Sequence, residues 1–332
     1  MIKIQALSKT YTYYRKEKGI KASIKNLFLR KNLEKHAVKN LSFEVKEGEI
    51  IGLIGPNGSG KTTTLKILSG ILPASQGTVS VMGFDPWKRE NAFKKNFSII
   101  MGQKSQLWPD LPAIESLILN KHIYEISDQD FNTRLEELTE LLNVKHVLNV
   151  QVRRLSLGER MKLELIACLL HRPKVLLLDE PTIGLDFESQ LKIRDFLKKY
   201  NELNKTTIIL TSHYMKDLED LTKRAVVINN GELIYDGLLN DIRKVMGNKK
   251  IIELHSSKKF DLSKLNQYGQ VKSISDYAVK IEVEQTEVKG ILPVLLSNCD
   301  IVDFNILDVP LEESIGNLYT KGGTHDLDKQ IQ

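Results

Sequence analysis

A glycine-rich stretch that follows an apolar run constrains the fold of this chain more than any other feature of its sequence. Residues 50–54 are the apolar run, and a helical pattern begins after the glycines. The stretch matches the pattern GxxxxGK[ST], in which backbone N–H groups surround phosphates at the positive end of a helix. We therefore predict a nucleoside triphosphate site formed by Gly55, Pro56, Asn57, Gly58, Ser59, Gly60, Lys61, Thr62 and Thr63.

A second signal is an apolar run that ends in two carboxylates. Residues 175–178 are apolar and are followed by Asp179 and Glu180. We expect Lys61 to reach the β- and γ-phosphates and Thr62 to bind Mg²⁺. Asp179 is then expected to organise the metal. Glu180 is expected to be the general base that activates a water molecule. The alternative is that Glu180 only caps the next turn.

Short strands alternate with longer helical patterns along most of the chain. After the glycine loop we expect strands at 78–81 and 98–101 and helices at about 114–126 and 131–142. This alternation predicts an α/β domain around a mainly parallel sheet. From residue 249 onward, strands at 251–255, 279–283 and 301–304 and helical patches at about 262–265 and 291–296 predict a small α+β domain that reaches about residue 319. A polar tail covers 320–332.

Size and composition agree with two soluble units. The chain has 332 residues, 41% of them hydrophobic and 27% charged, and no apolar run approaches the length of about 18 residues that a spanning helix needs. The start alternates like a strand and lacks the apolar core of a secretory leader. The two cysteines, Cys168 and Cys299, are far apart in the sequence and are expected to be packed thiols.

The positive charge is concentrated in one segment. Residues 15–39 contain nine Lys and Arg against two Glu, whereas the net charge of the whole chain is +6. Apolar residues recur at helical spacing among these charges, which predicts a short amphipathic basic helix suited to an anionic membrane surface or an acidic partner. A solvated charged surface is the alternative; nucleic-acid binding is less favoured, because the segment lacks a series of stacking aromatics. The helix would contain Ile20, Lys21, Ile24, Lys25, Leu27, Phe28, Arg30 and Lys31.

Residues 155–159 read Leu-Ser-Leu-Gly-Glu and precede a long helical pattern and the two carboxylates. They resemble the signature loop, usually LSGGQ, of ATP-binding-cassette (ABC) transporter ATPases. Ser156 and Gly158 match this loop, whereas Leu157 replaces a glycine and Glu159 brings a negative charge near an anion. The resemblance covers residues 1 to about 240 and implies the P-loop ABC ATPase fold, with a helical subdomain at about 103–172 and ATP as the nucleotide.

The resemblance also implies roles for residues outside the three motifs. Gln103 matches the glutamine that contacts Mg²⁺ and the attacking water, and His213 matches the histidine that bonds the γ-phosphate. Asp186 matches a residue of the loop that crosses between protomers in this family. Tyr11 matches the aromatic residue that stacks on adenine, although Tyr13 and Tyr14 are close alternatives.

In this family two chains share each site, so Ser156 and Gly158 of one protomer are expected to close over ATP held by the other. The basic segment resembles the inserts of type 2 drug and polysaccharide exporters. The resemblance therefore implies a homodimer, or a pair with a similar ATPase, that is bound to membrane permease subunits on the cytoplasmic face of the membrane. ATP hydrolysis by this pair would drive export.

Other classes of protein share part of the pattern. A small-molecule kinase or a GTPase would share Lys61 and Thr62, but would not need the signature loop or His213. A soluble ABC ATPase that acts in translation or DNA repair is a nearer alternative. Proteins of the first kind usually carry two cassettes, and those of the second carry a long coiled-coil or zinc insertion.

Overall fold

The structure, a computed structural model, describes residues 1–14, 32–102, 105–245, 248–261 and 265–321. Contacts within the chain divide it into two compact units, with the division between Asp236 and Gly237. No helix within these described ranges is both long enough and apolar enough to cross a membrane.

The first unit contains nine of the described strands. They are β1 (Ile2–Tyr14), β2 (Asn32–Val45), β3 (Ile50–Ile54), β4 (Gln76–Val81), β5 (Phe97–Met101), β6 (Val175–Asp179), β7 (Thr207–Thr211), β8 (Arg224–Asn229) and β9 (Glu232–Leu238), the last of which ends just beyond the division. Its described helices are α1 (Lys61–Leu68), α2 (Asn91–Lys94), α3 (Ala113–Ile123), α4 (Asp128–Leu141), α5 (Leu157–Leu169), α6 (Phe187–Asn204) and α7 (Met215–Leu221).

The central sheet has the order β5-β6-β7-β3-β8-β9, and the pairs β5–β6, β6–β7, β3–β7 and β3–β8 are parallel. All five residues of β6 are buried, because a parallel sheet is covered on both faces. Since β6, β7 and β3 are neighbours, their carboxyl ends meet at one edge, which is where open α/β sheets bind ligands. The predicted α/β fold with a mainly parallel sheet is confirmed.

A separate antiparallel sheet, with the order β2-β1-β4, was not expected. It corrects the proposed extent of the basic segment, because residues 32–39 belong to β2. Most of these residues pair with β1, from Asn32 opposite Tyr14 to Val38 opposite Lys9. Their backbone N–H and C=O groups therefore form the hydrogen-bond ladder of an antiparallel sheet. The helix predicted between 20 and 31 lies outside the described residues.

Helices α3, α4 and α5 lie within the predicted helical subdomain. The Ser127 hydroxyl accepts a hydrogen bond from Asp130 N and begins α4 three residues earlier than expected. Cys168, on α5, is buried, and this burial raises the pKa of its thiol to about 12. Both cysteines are free thiols.

The second unit contains a four-stranded sheet with the order β11-β12-β10-β13. Its elements are α8 (Asp241–Val245), β10 (Lys249–Ser256), β11 (Gln270–Ser275), β12 (Ala278–Glu284), α9 (Val288–Asn298), β13 (Ile301–Asp308) and α10 (Leu311–Lys321). Ile252, Leu254, Val279, Ile281 and Leu295 are central to its core. Sequence reasoning found β10, β12, α9 and β13, but not β11 or α10; most of the helical patch expected at 262–265 lies outside the described residues.

Candidate active site

The glycine loop runs from the end of β3 into α1 and has little room for side chains. Gly60, at the N-cap of α1, has a φ of +111°, which a residue with a Cβ rarely adopts. A Cβ at this position would lie 2.5 Å from the carbonyl oxygen of Ala37. The close approach of β2 therefore requires glycine. Gly60 has no side chain that could cap α1, so the first N–H groups of this helix are available to an anion.

The Lys61 ammonium group is held over this loop. Its Nζ donates hydrogen bonds to the carbonyl oxygens of Gly55 and Pro56, at 2.6 and 3.2 Å. Burial lowers the pKa of Lys61, and the nearby charges of Glu180 and Asp179 oppose that shift. Ser59 Oγ is also buried and has no hydrogen-bond partner among the described residues. A buried cation and an unsatisfied hydroxyl beside open backbone donors fit a bound polyphosphate.

Asp179 connects the loop to the neighbouring strands. Its Oδ2 accepts a hydrogen bond from Thr62 Oγ1 at 2.9 Å, and its Oδ1 accepts one from Thr211 Oγ1 at 2.7 Å. A hydroxyl and a carboxylate at this distance are hard oxygen ligands of the kind that Mg²⁺ prefers. The two residues therefore fit the metal role predicted for them.

Glu180 lies next to His213, with Oε1 2.8 Å from His213 Nε2. Glu180 has a left-handed φ of +55°, and its N–H donates to the carbonyl oxygen of Thr211 at 3.1 Å and to Thr211 Oγ1 at 3.0 Å. Such a backbone conformation costs about 1–3 kcal/mol in a non-glycine residue and tends to occur at functional sites. The ends of strands β6 and β7 thus bring a carboxylate and an imidazole together beside the phosphate loop.

A cavity of about 190 Å³ joins the phosphate loop to Tyr11. Tyr13 and Tyr14 are not among its lining residues, although both are exposed. Lys35 and Ala37 line it and were not identified from the sequence; the pairing of Tyr11 with Lys35 across β1 and β2 brings Lys35 there. The cavity is lined by Tyr11, Lys35, Ala37, Asn57, Gly58, Gly60, Lys61, Thr62, Thr63 and Glu180.

Ser156 begins α5, where its side chain forms a capping box with Glu159. Ser156 Oγ accepts a hydrogen bond from Glu159 N at 3.2 Å, and Ser156 N donates to Glu159 Oε2 at 2.9 Å. Hydrogen bonds from the Ser156 hydroxyl and backbone hold the pKa of Glu159 below its usual value. The unexpected glutamate therefore stabilises the start of the helix.

Gly158 and Asp186 lie close to each other at the starts of α5 and α6. A Cβ on Gly158 would lie 2.4 Å from Ser189 Oγ, which itself donates to Asp186 Oδ2 at 2.7 Å. Asp186 also caps α6 by accepting a hydrogen bond from Ser189 N. Ser156, Gly158 and Asp186 do not line the cavity of about 190 Å³ at the phosphate loop. Gln103, predicted to contact the metal, lies outside the described residues.

Two family models match the chain. The model described as ABC transporter matches residues 38–183, and the model described as the C-terminal domain of EvrA-like ABC transporters matches residues 248–307. The linearmycin resistance ATP-binding protein LnrL of Bacillus subtilis is 30% identical over 284 residues, which cover 84% of this chain and 91% of LnrL. The doxorubicin resistance ATP-binding protein DrrA of Mycobacterium tuberculosis is 31% identical over 211 residues, which cover 64% of this chain and 63% of DrrA.

Among solved structures, a dimeric bacterial ABC transporter cassette has a TM-score of 0.60 and 24% sequence identity, over 72% of this chain and 98% of that cassette. This similarity supports the fold. The two family models match sequence in both units, and the alignment with LnrL covers 84% of the chain. The family resemblance and the ATPase activity predicted from the motifs are confirmed. The chain belongs to the ABC transporter family, as an ATP-binding protein whose cassette is an ATPase.

Proposed function

We propose that this chain is the ATP-hydrolysing subunit of a membrane exporter. The observation that carries hydrolysis is the Glu180–His213 pair beside the phosphate loop, with 2.8 Å between Oε1 and Nε2. The exporter role is supported by relatives that are named for resistance to linearmycin and doxorubicin. An amphiphilic substrate, such as a drug or a lipid-linked compound, is the class these names favour.

The chain's own residues divide the work of hydrolysis. Lys61 and the N–H groups at the start of α1 hold the β- and γ-phosphates, and Tyr11 stacks on adenine. Glu180 accepts a proton from the attacking water, while His213 orients the carboxylate and bonds the γ-phosphate. Thr62, Asp179 and Gln103 would hold Mg²⁺, which when bound would neutralise charge on the phosphate oxygens.

Besides capping their own helices, Ser156 and Asp186, together with Gly158, would act in hydrolysis only where a second copy is present. These residues share the starts of α5 and α6, and the cavity that contains Lys61 does not include them. We infer that each copy closes this cluster over the ATP held by its partner, which makes two composite sites in a head-to-tail pair. Binding of two ATP molecules would join the chains, and hydrolysis would loosen them.

The pair would act at the cytoplasmic face of the membrane, attached to permease subunits. A direct test compares cells that produce the permease with the wild-type chain or with Lys61→Ala, after loading with a panel of amphiphilic dyes and antibiotics. We expect the wild-type chain to lower accumulation of at least one compound and Lys61→Ala to abolish that effect, because the buried ammonium group no longer holds the phosphates. Lys66→Ala, on the same helix but outside the cavity lining, is the matched control and should behave like wild type.

Equal accumulation with the wild-type chain and Lys61→Ala across the panel would contradict an exporter of amphiphilic compounds. Higher accumulation with the wild-type chain would instead indicate import.

The basic segment is proposed to bind the membrane surface beside the permease. Replacing Lys21, Lys25, Arg30 and Lys31 by Glu should weaken binding to vesicles that contain anionic lipid, since each basic residue at such a surface contributes about 1 kcal/mol. Nucleotide affinity should stay unchanged. Co-sedimentation with anionic and with zwitterionic vesicles measures this binding. Equal binding of the variant and the wild type to anionic vesicles would contradict the proposal and indicate that the segment is a solvated charged surface.

A further inference from the structure

A buried carboxylate joins the two loops that carry Glu180 and His213. Asp217, in the first turn of α7, has no exposed surface. Its Oδ2 accepts a hydrogen bond from the Thr182 hydroxyl and another, at 2.7 Å, from the Ser212 hydroxyl. Thr182 follows Glu180 by two residues, and Ser212 directly precedes His213. One carboxylate oxygen therefore connects the loop after β6 to the loop after β7.

The other oxygen of Asp217 is tied to α6. Its Oδ1 accepts a hydrogen bond from Arg194 Nη1 at 2.9 Å, and the Arg194 side chain is only 3% exposed. Ser212 Oγ also accepts a hydrogen bond from the backbone N–H of Tyr214 at 3.0 Å, which fixes the start of α7 on the same loop. The charge is thus balanced by one cation and two hydroxyls, all of them buried.

Stability alone does not account for a charged group at this position. Apolar side chains of similar volume often replace a buried ion pair without loss of stability. A carboxylate is distinctive in another respect, because it accepts hydrogen bonds on both oxygens at once and donates none. At Asp217 this property links three elements of the catalytic edge of the sheet, namely the two loops and α6.

We propose that Asp217 is a positioning residue for ATP hydrolysis, which clamps the loops after β6 and β7 so that Glu180 Oε1 stays 2.8 Å from His213 Nε2. This proposal rests on the roles given above to Glu180 and His213. Glu180 has a φ of +55°, a conformation that persists only where the surroundings hold it. The bond from Asp217 to Thr182 restrains the loop just beyond this residue, and the bond to Ser212 restrains the residue beside the imidazole.

The substitution Asp217→Asn tests the clamp with little change of shape. An amide has one accepting oxygen, so it cannot accept from Arg194 and from the two hydroxyls together. We expect kcat for ATP hydrolysis to fall on the order of tenfold to a hundredfold, as a small misplacement of a catalytic group does. The Kd for ATP should stay unchanged, because the phosphate loop is not part of the network.

Asp220→Asn is the matched control. Asp220 Oδ2 lies 3.1 Å from Arg194 Nε, so this variant removes a charge from the same arginine. The other oxygen of Asp220 pairs with Lys216, also on α7, and within the described residues these ion pairs join Asp220 to α6 and α7 rather than to either loop. Its kcat should equal that of the wild type. An equal loss of kcat in Asp217→Asn and Asp220→Asn would overturn the proposal, since it would reflect general loss of packing around Arg194.

Two milder variants carry the test if Asp217→Asn does not fold. Thr182→Val and Ser212→Ala each remove one hydroxyl from the clamp and should lower kcat without changing the Kd for ATP. In a Glu180→Gln background, where the base is absent, the same changes should cost no further activity, a non-additivity that a purely structural role would not produce. Wild-type kcat in both hydroxyl variants would overturn the clamp, whereas wild-type kcat in Glu180→Gln alone would refute the proposed function beneath it.

Discussion

Glu180→Gln is expected to keep ATP binding and to lose almost all turnover. The amide has the shape of the carboxylate but cannot accept the proton of the attacking water, so kcat should fall by a factor of about 10² to 10⁴. Lys61, Thr62 and the N–H groups of α1 are unchanged, and the Kd for ATP should therefore be close to that of the wild type. With saturating Mg-ATP the variant should accumulate as a dimer in size-exclusion chromatography.

Glu188→Gln serves as the control for this change. Glu188 is on the exposed side of α6 and pairs with Lys192, and it has no part in the proposed site. Its ATPase rate should match that of the wild type. A Glu180→Gln variant that hydrolyses ATP at the wild-type rate and remains monomeric would show that Glu180 has another role.

The parts of the site that sequence reasoning predicted are those encoded by neighbouring residues. The phosphate loop is one continuous stretch whose glycines and lysine need only a preceding strand and a following helix. Asp179 and Glu180 follow an apolar run whose short length favours a buried strand over a helix, so their place at the edge of the sheet follows from their place in the sequence. For these residues the local sequence is sufficient to predict the position in the fold.

The residues that sequence reasoning missed depend on pairing between distant segments. Lys35 lines the cavity because β2 pairs with β1 in a register that places it opposite Tyr11, and no local pattern encodes that register. In the sequence Lys35 is one of the nine Lys and Arg of residues 15–39, and that clustering does not indicate a place beside the phosphate loop. Asp217 belongs to no motif of the sequence, and only the fold brings Thr182 and Arg194 to it.

Glu159 takes part in a local signal that the family pattern does not include. Serine followed three residues later by glutamate before a helix is a capping signal, in addition to the departure from the usual signature loop. The structure shows this box between Ser156 and Glu159. The signature loop and the capping box therefore share the residues 155–159, and the family pattern alone does not predict the cap.

Mixtures of two inactive variants are expected to recover activity if the sites are shared. Lys61→Ala removes the phosphate-binding cation, and Ser156→Arg blocks closure over the partner's ATP. A mixed pair keeps one site with Lys61 from one chain and Ser156 from the other, so an equimolar mixture should reach about a quarter of wild-type activity if a single intact site can cycle. Each variant alone should be inactive. A mixture of Lys61→Ala with Glu180→Gln is the control, because every site that contains an intact Lys61 then lacks the base.

An inactive mixture would leave open whether two intact sites are needed, so a structural readout is required as well. Asn57 is exposed in the phosphate loop, and Leu157 is 41% exposed beside Ser156, whose cap stays intact when Leu157 is changed. The experiment places Asn57→Cys on one chain and Leu157→Cys on another, both with Glu180→Gln to retain ATP and Cys299→Ser to remove the less buried native thiol. Cys168 can remain, since burial raises the pKa of its thiol to about 12 and keeps it unreactive.

The most direct test of shared catalysis is the yield of cross-linked dimer when these two chains are mixed and treated with a short thiol cross-linker. The head-to-tail arrangement predicts a covalent pair that forms with Mg-ATP, is lost without nucleotide, and is lost again when the Asn57→Cys chain also carries Lys61→Ala. Only single chains on the gel, with ATP bound and with both thiols reactive, would contradict it.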